Sequence, residues 1–401
     1  MKTNSFIITT LLSSTALAFS FYAGNSRDHR NSPVAVYENA VTATEIPHNT
    51  ENFTAENTIQ VALLLDTSNS MDGLIEQAKS RLWNIVNTLS TLKYEGKTPK
   101  IEISLYEYGN DGLDNKNWVR KVTPLTQDLD LISEKLFALK TNGGTEYCGA
   151  VIKDAVTELE WNGNSKSMKL IYIAGNESFD QQGVNYKEAI SDAKRKSIYV
   201  NTIFCGDRSE GINTFWQDGA VLGGGKYFNI DSNQRVVFIE TPYDRRISEC
   251  NIKLNDTYIG YGSRGYEKKE AQYEQDMNAA SLSHANAVER TVSKSRKSVY
   301  RADSWDMVDK AESDKEFLKN VKQDDLPAEL KGKSKAEIEK LVAEKSRQRS
   351  ALQKEISELA VKRQQYIDNE LQKRGNSSND DLGKAIEKSI YELAGRSGFK
   401  K

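Results

Sequence analysis

From residue 59 the chain alternates between short apolar runs and longer stretches whose apolar residues recur every three or four positions. Ile59-Gln60-Val61-Ala62-Leu63-Leu64-Leu65 is a run of the first kind and predicts a strand buried on both faces. Leu74, Ile75, Ala78, Leu82, Ile85, Val86 and Leu89 then form a helical stripe. The same two patterns predict strands at 101–106, 168–174, 198–204 and 226–230, with a short edge strand at 118–122. Helices are predicted at 129–139, 151–159, 186–196 and 213–222. Strands separated by helices of this length imply right-handed crossovers and a mostly parallel sheet covered on both faces. The expectation is a doubly wound α/β domain over residues 57–235, with ligand-binding loops at the carboxyl ends of its strands.

Beyond residue 235 the strand signals fade. Residues 236–300 read as a helical linker region, with helices at 244–254 and 267–296, and residues 301–401 as a charged, all-α C-terminal region. Within the latter, 334–374 is one long charged helical pattern. Ile338, Leu352, Leu359 and Tyr366 share a heptad register, but Lys345 interrupts it and Ile356 shifts the stripe. That weak coiled-coil seam favours a helix hairpin, packed on itself or on the α/β domain, over a parallel coiled coil. A break at 375–379 precedes a last helix at 382–393 that aligns Ile386, Ile390 and Leu393. At the other end, residues 1–23 carry Lys2 and an apolar stretch to about Phe21, the pattern of a signal peptide, with an uncleaved anchor as the alternative. Residues 24–56 are a polar, patternless spacer. The chain is expected to be exported, periplasmic or secreted, with no membrane span beyond the signal segment.

Composition narrows the chemistry. With 55 Lys+Arg against 57 Asp+Glu, the formal charge of −2 offers no excess of cations for nucleic acid. Only 3 His and 3 Cys are present, and no CxxC spacing occurs, which argues against zinc ribbons and His-based hydrolases. Cys148, Cys205 and Cys250 would face an oxidising space after export, where an odd number leaves at least one unpaired; three small buried apolar side chains is the simplest reading. Cys148 has no neighbouring base in the sequence, and no paired carboxylates or nucleophile dyad stand out, so no enzyme is expected. Gly223-Gly224-Gly225-Lys226-Tyr227 lacks the spacing of a phosphate loop and reads as a helix terminus leading into the last strand.

One loop does carry chemistry. Asp66-Thr67-Ser68-Asn69-Ser70 follows the first strand with a carboxylate and two hydroxyls spaced two apart, so that three hard oxygen donors can face one side. Such donors suit Mg²⁺ or Mn²⁺ rather than zinc, and an Asp/Ser helix N-cap is the competing use of the same residues. This Asp-x-Ser-x-Ser sequence resembles the signature of the von Willebrand factor type A (vWA) family. Thr141-Asn142-Gly143-Gly144-Thr145-Glu146 is similar to that family's second metal loop, with Thr145 as the matching residue. The resemblance spans about 175 residues, as one domain of ordinary size would. The whole chain looks like exported bacterial vWA proteins with a charged helical C-terminal region.

The resemblance implies a metal-ion-dependent adhesion site that binds protein ligands through a divalent cation. On it, Asp66, Ser68, Ser70 and Thr145 are the metal residues, and a partner's Asp or Glu carboxylate completes the coordination. The third loop departs from the family pattern: Ala174-Gly175-Asn176-Glu177 puts Gly175 where the last metal-site Asp is usual. Asn176 or Glu177 is the candidate replacement, Asp180 a more distant one, and water another; a site short of one carboxylate holds its cation more weakly. The function expected is an exported, cation-dependent binding module. The alternative is a metal-independent scaffold whose charged helices carry the function.

Overall fold

The computed structural model describes residues 57–113, 117–234, 236–373 and 382–401. The signal segment expected at 1–23, the spacer at 24–56 and the break at 375–379 lie outside the described residues.

The α/β part runs β1 (Thr58–Asp66), α1 (Asp72–Ser90), β2 (Lys93–Tyr94), β3 (Lys100–Tyr108), β4 (Val119–Thr126), α2 (Leu129–Phe137), α3 (Cys148–Glu158), β5 (Met168–Gly175), α4 (Tyr186–Arg195), β6 (Ile198–Cys205), α5 (Arg208–Asn213), α6 (Trp216–Leu222) and β7 (Gly224–Ile230). Six of these strands form one sheet in the order β4-β3-β1-β5-β6-β7, parallel except for the edge strand β4. All nine residues of β1 are buried because it lies at the centre with helices on both faces, which is why its sequence is a nearly unbroken apolar run. One face is covered by α1 and α2, the other by α3, α4 and α6. This is the expected doubly wound, mostly parallel α/β fold.

The helical part comprises α7 (Asp244–Asn255), α8 (Gly265–Leu282), α9 (His284–Lys294), α10 (Met307–Ser313), α11 (Phe317–Asn320), α12 (Lys335–Lys373) and α13 (Leu382–Arg396), with a final two-residue strand β8 (Phe399–Lys400). Two small cores hold it together. One joins Ile247, Cys250, Val288 and Trp305 to Ile356; the other joins Ile259, Met307 and Leu330 to Ile338 and Val342. The last helix returns to the sheet. Leu382, Ile386, Ile390 and Leu393 of α13 lie in the same core as β1 and α1, and Tyr172 of β5 bonds Ser389. Beyond it, β8 pairs antiparallel with β2. The end of the chain thus covers part of a sheet face laid down more than a hundred residues earlier, as a two-sided sheet requires.

Three expectations need correction. The helix predicted at 267–296 is two helices, because Ser283 takes an extended conformation (φ −173°, ψ 159°) and its side chain accepts the Asn286 N–H at 3.0 Å. A serine hydroxyl competes with the helix for backbone donors and caps a new one. The helix predicted at 213–222 starts only at Trp216, as α6, because Phe215 has a φ of +69° that cannot belong to a helix; α5 at 208–213 is a separate helix that the pattern did not predict. At 334–374 there is no hairpin: α12 is one helix of 39 residues. The buried stripe runs instead through Val342, Arg349, Ile356 and Arg363, the register of Ile356 rather than that of Lys345. Arg349 is buried against Asp306 and Asp309, each 2.6 Å away, and Arg363 bonds Asp244 at 3.0 Å. These partners lie elsewhere in the same chain, so the helix is satisfied by α7, α9 and α10 rather than by a copy of itself.

All three cysteines are buried free thiols. Gly223 ends α6 and β7 begins at Gly224, so that triplet is the helix terminus the pattern indicated. Of the tyrosines after the sheet, Tyr258 is buried against Trp305 and the Arg349 guanidinium, whereas Tyr266 is exposed.

Candidate functional site

At the carboxyl end of the sheet the ends of β1, β3 and β5 stand side by side, with Asp66 paired to Tyr108 and Leu65 to Ala174. Parallel strands deliver their following loops to the same edge, so loops distant in sequence meet there. Two backbone bonds join the first loop to the second: Asn69 N–H to Gly143 O at 2.8 Å and Asn142 N–H to Thr67 O at 2.9 Å. Thr141 of the second loop also bonds Asp72, the first residue of α1.

Asp66 ends β1 with its side chain fully buried. Its Oδ1 accepts the Ser68 N–H at 2.8 Å, while Oδ2 has no hydrogen-bond partner. Burial is the main reason its pKa is pushed up from 3.8 to about 7; Glu146 and Glu177 push the same way, and the Ser68 bonds only partly offset them. Ser68 and Ser70 place their hydroxyls 3.2 Å apart, and Asn176 Nδ2 donates to Ser70 Oγ at 3.1 Å. Asp66, Ser68, Ser70 and Asn176 are therefore drawn together as one oxygen-rich cluster running from the buried carboxylate out to solvent. The N-cap use of these residues does not occur, since no side chain caps the short 3-10 turn at Asn69–Met71 or α1.

Thr145 is half-buried on the second loop, and among the described residues its hydroxyl makes no hydrogen bond. Glu177 is exposed, and its backbone carbonyl accepts the Trp216 indole N–H at 2.7 Å. Its carboxylate is still near enough to act on Asp66 and Glu146. Gly175 is the last residue of β5 and is buried.

One residue escaped the sequence reading. Glu146, next to Thr145, is 7% exposed and turned toward Asp66 and Ser68. Burial raises its pKa, with Glu177 and Asp111 adding to the effect and Ser68 opposing it. An acidic residue directly after the matching threonine was visible in the sequence, but only the fold shows that its side chain turns inward. Cys148 and Cys205 are buried near the same carboxylate, and burial holds both thiols protonated, well above the usual thiol range. Neither is an activated nucleophile.

The donors fit a hard divalent cation. A buried carboxylate oxygen without a partner, beside two hydroxyls and a side-chain amide, is the arrangement that a small oxygen-seeking ion satisfies. No group of three or more His, Cys, Asp or Glu side chains poised for a metal occurs among the described residues.

Residues 60–232 match the family model of the von Willebrand factor type A domain. No curated protein matches the chain. Among solved structures, an aerotolerance-related membrane protein from Bacteroides fragilis is 18% identical, with 44% of this chain and 93% of that chain covered and a TM-score of 0.31. A von Willebrand factor type A protein from Catenulispora acidiphila is 17% identical, over 44% of this chain and 39% of that one, with a TM-score of 0.33. Proximal thread matrix protein 1 from the mussel byssus, solved with zinc in its MIDAS motif, is 14% identical over 43% and 42%, with a TM-score of 0.32. The chain therefore spans less than half the length of the last two. Among the described residues no helix is long and apolar enough to cross a membrane.

Proposed function

We propose that this protein is a non-enzymatic, exported binding module that engages a partner protein through a divalent cation, Mg²⁺ or Mn²⁺, at the carboxyl edge of its sheet. The observation that carries the reading is the fully buried Asp66, whose Oδ2 lacks a partner and stands beside the Ser68 and Ser70 hydroxyls. A bound cation would supply a positive centre that a partner's Asp or Glu can approach. Asp66 anchors that centre from below and Ser68 and Ser70 offer neutral oxygens around it. Thr145 stands on the adjoining loop to serve as a further neutral donor, and Asn176 orients Ser70. Neutral donors leave much of the ionic charge unspent, which favours an acidic group on the partner.

Calorimetry with Mg²⁺ and Mn²⁺ tests the reading. Wild type should bind at millimolar metal or below and Asp66→Ala should not; absence of binding in both would sink it. A metal-independent scaffold is the second reading, favoured by Gly175, which leaves the third loop without its carboxylate. Partner capture that is unchanged in chelator and in Asp66→Ala would establish that alternative.

A further inference from the structure

We propose that Glu146 supplies the second anionic ligand of this site, replacing the carboxylate that Gly175 does not carry; the inference rests on reading Asp66, Ser68 and Ser70 as a cation site.

Position 175 is closed to any side chain. A Cβ there would stand 2.5 Å from the Tyr108 hydroxyl and 3.0 Å from Asp66 Oδ2. The hydroxyl cannot swing aside freely, because Tyr108 is fully buried and donates to the Ala174 carbonyl at 3.0 Å. The space a third-loop carboxylate would cross is thus occupied from β3.

Glu146 reaches the same region from the second loop, over bare glycines. Its Cγ lies 2.8 Å, and Asp66 Oδ1 2.9 Å, from the point where a Gly109 Cβ would be. Its Oε1 lies 3.0 Å, and the Ser68 Cβ 3.9 Å, from the corresponding point at Gly144. Glu146 thus meets Asp66 beside Gly109, where a Cβ would clash with both, and meets Ser68 beside Gly144. A backbone tie holds the loop in place, since Asn69 N–H bonds Gly143 O.

Charge supports the same assignment. Asp66 and Glu146 are both buried beside Gly109, and neither has an ion pair with a Lys or Arg among the described residues. Buried carboxylates are normally paired, hydrogen-bonded or coordinated to metal. Here the unpartnered Oδ2 of Asp66 is the oxygen left over. Two carboxylates from the chain would hold the ion more firmly than Asp66 alone, leaving hydroxyls, water and a partner's acidic group to fill the remaining positions, as small hard cations accept. The site would then hold its ion before any partner arrives.

The test measures Mn²⁺ binding to the full chain, by the electron paramagnetic resonance signal of free Mn²⁺, for wild type, Asp66→Asn, Glu146→Gln and Glu177→Gln. Binding should be lost in Asp66→Asn, weakened at least tenfold in Glu146→Gln and changed less than twofold in Glu177→Gln. Wild-type affinity in Glu146→Gln, with loss in Asp66→Asn, overturns the role of Glu146 and leaves the site standing. Failure of wild type to bind overturns the site and this assignment together. If Glu146→Gln does not fold, Glu146→Asp serves: it keeps the charge but withdraws the carboxylate by one methylene, and should weaken binding several-fold, whereas unchanged affinity counts against the proposal.

Discussion

Replacing Asp66 by Asn tests whether the buried carboxylate is a burden that only a cation relieves. Asn keeps the shape and an oxygen to accept the Ser68 N–H, but removes the charge. In the folded, metal-free protein the Asp66 pKa is about 7 against an ordinary 3.8. Between those values the native state holds a proton that the unfolded chain has released, so stability falls as pH rises through that window and levels off above it. The full gap corresponds to about 4 kcal/mol, and the part between pH 5 and pH 8 to about 3 kcal/mol. Urea denaturation in chelator should therefore show Asp66→Asn gaining on wild type by about 3 kcal/mol from pH 5 to pH 8. Saturating Mg²⁺ at pH 8 should stabilise wild type, by about 2.7 kcal/mol at a hundredfold excess over Kd, and leave the variant unmoved. The cation must also displace the proton, so its affinity should drop about fivefold from pH 7 to pH 6. A wild-type-to-variant difference that stays constant from pH 5 to pH 8 refutes the reasoning.

Other perturbations probe the frame around the site. Arg349→Ala leaves Asp306 and Asp309 buried without their cation and strips the Thr257 carbonyl of a donor, so it should cost about 3–5 kcal/mol by chemical denaturation. A loss below 1 kcal/mol would show that α12 is held by its apolar contacts alone. Ile390→Ala, in a fully buried position of α13, should cost about 2–5 kcal/mol. The loss should appear in the same cooperative transition as the sheet, and a separate early melt of the C-terminal helix would contradict a shared core. Gly175→Ala should destabilise by about 1–3 kcal/mol through its clash with the Tyr108 hydroxyl. Tyr108→Phe should recover part of that loss in a double-mutant cycle, and strict additivity of the two changes would place the clash elsewhere.

Much of this protein could be read from its residues in order. The apolar run at Ile59–Leu65 and the stripe from Leu74 to Leu89 announce a central strand and its crossover helix, because burial on two faces or on one imposes different periods. The Asp66, Ser68 and Ser70 loop was legible for the same local reason: three oxygens two residues apart in one turn. What local pattern could not disclose are relations between distant residues. That the buried stripe of α12 follows Ile356, with Arg349 and Arg363 in it, depends on Asp306, Asp309 and Asp244 standing opposite them. The helix at 382–393 was visible as a helix, but its place on the sheet depends on a face left uncovered by α1 and α2. Gly175 stands in the sequence where the resemblance leads one to expect an Asp. Yet Tyr108 filling its space, and Glu146 turning in from another loop, belong to packing among three strand ends. Sequence alone determined the strands of the sheet, the main helices and which loop bears hard oxygen donors, because periodicity and spacing are local properties. Tertiary structure alone decided which carboxylates share that loop's buried space, because proximity across a parallel sheet joins residues that no sequence interval relates.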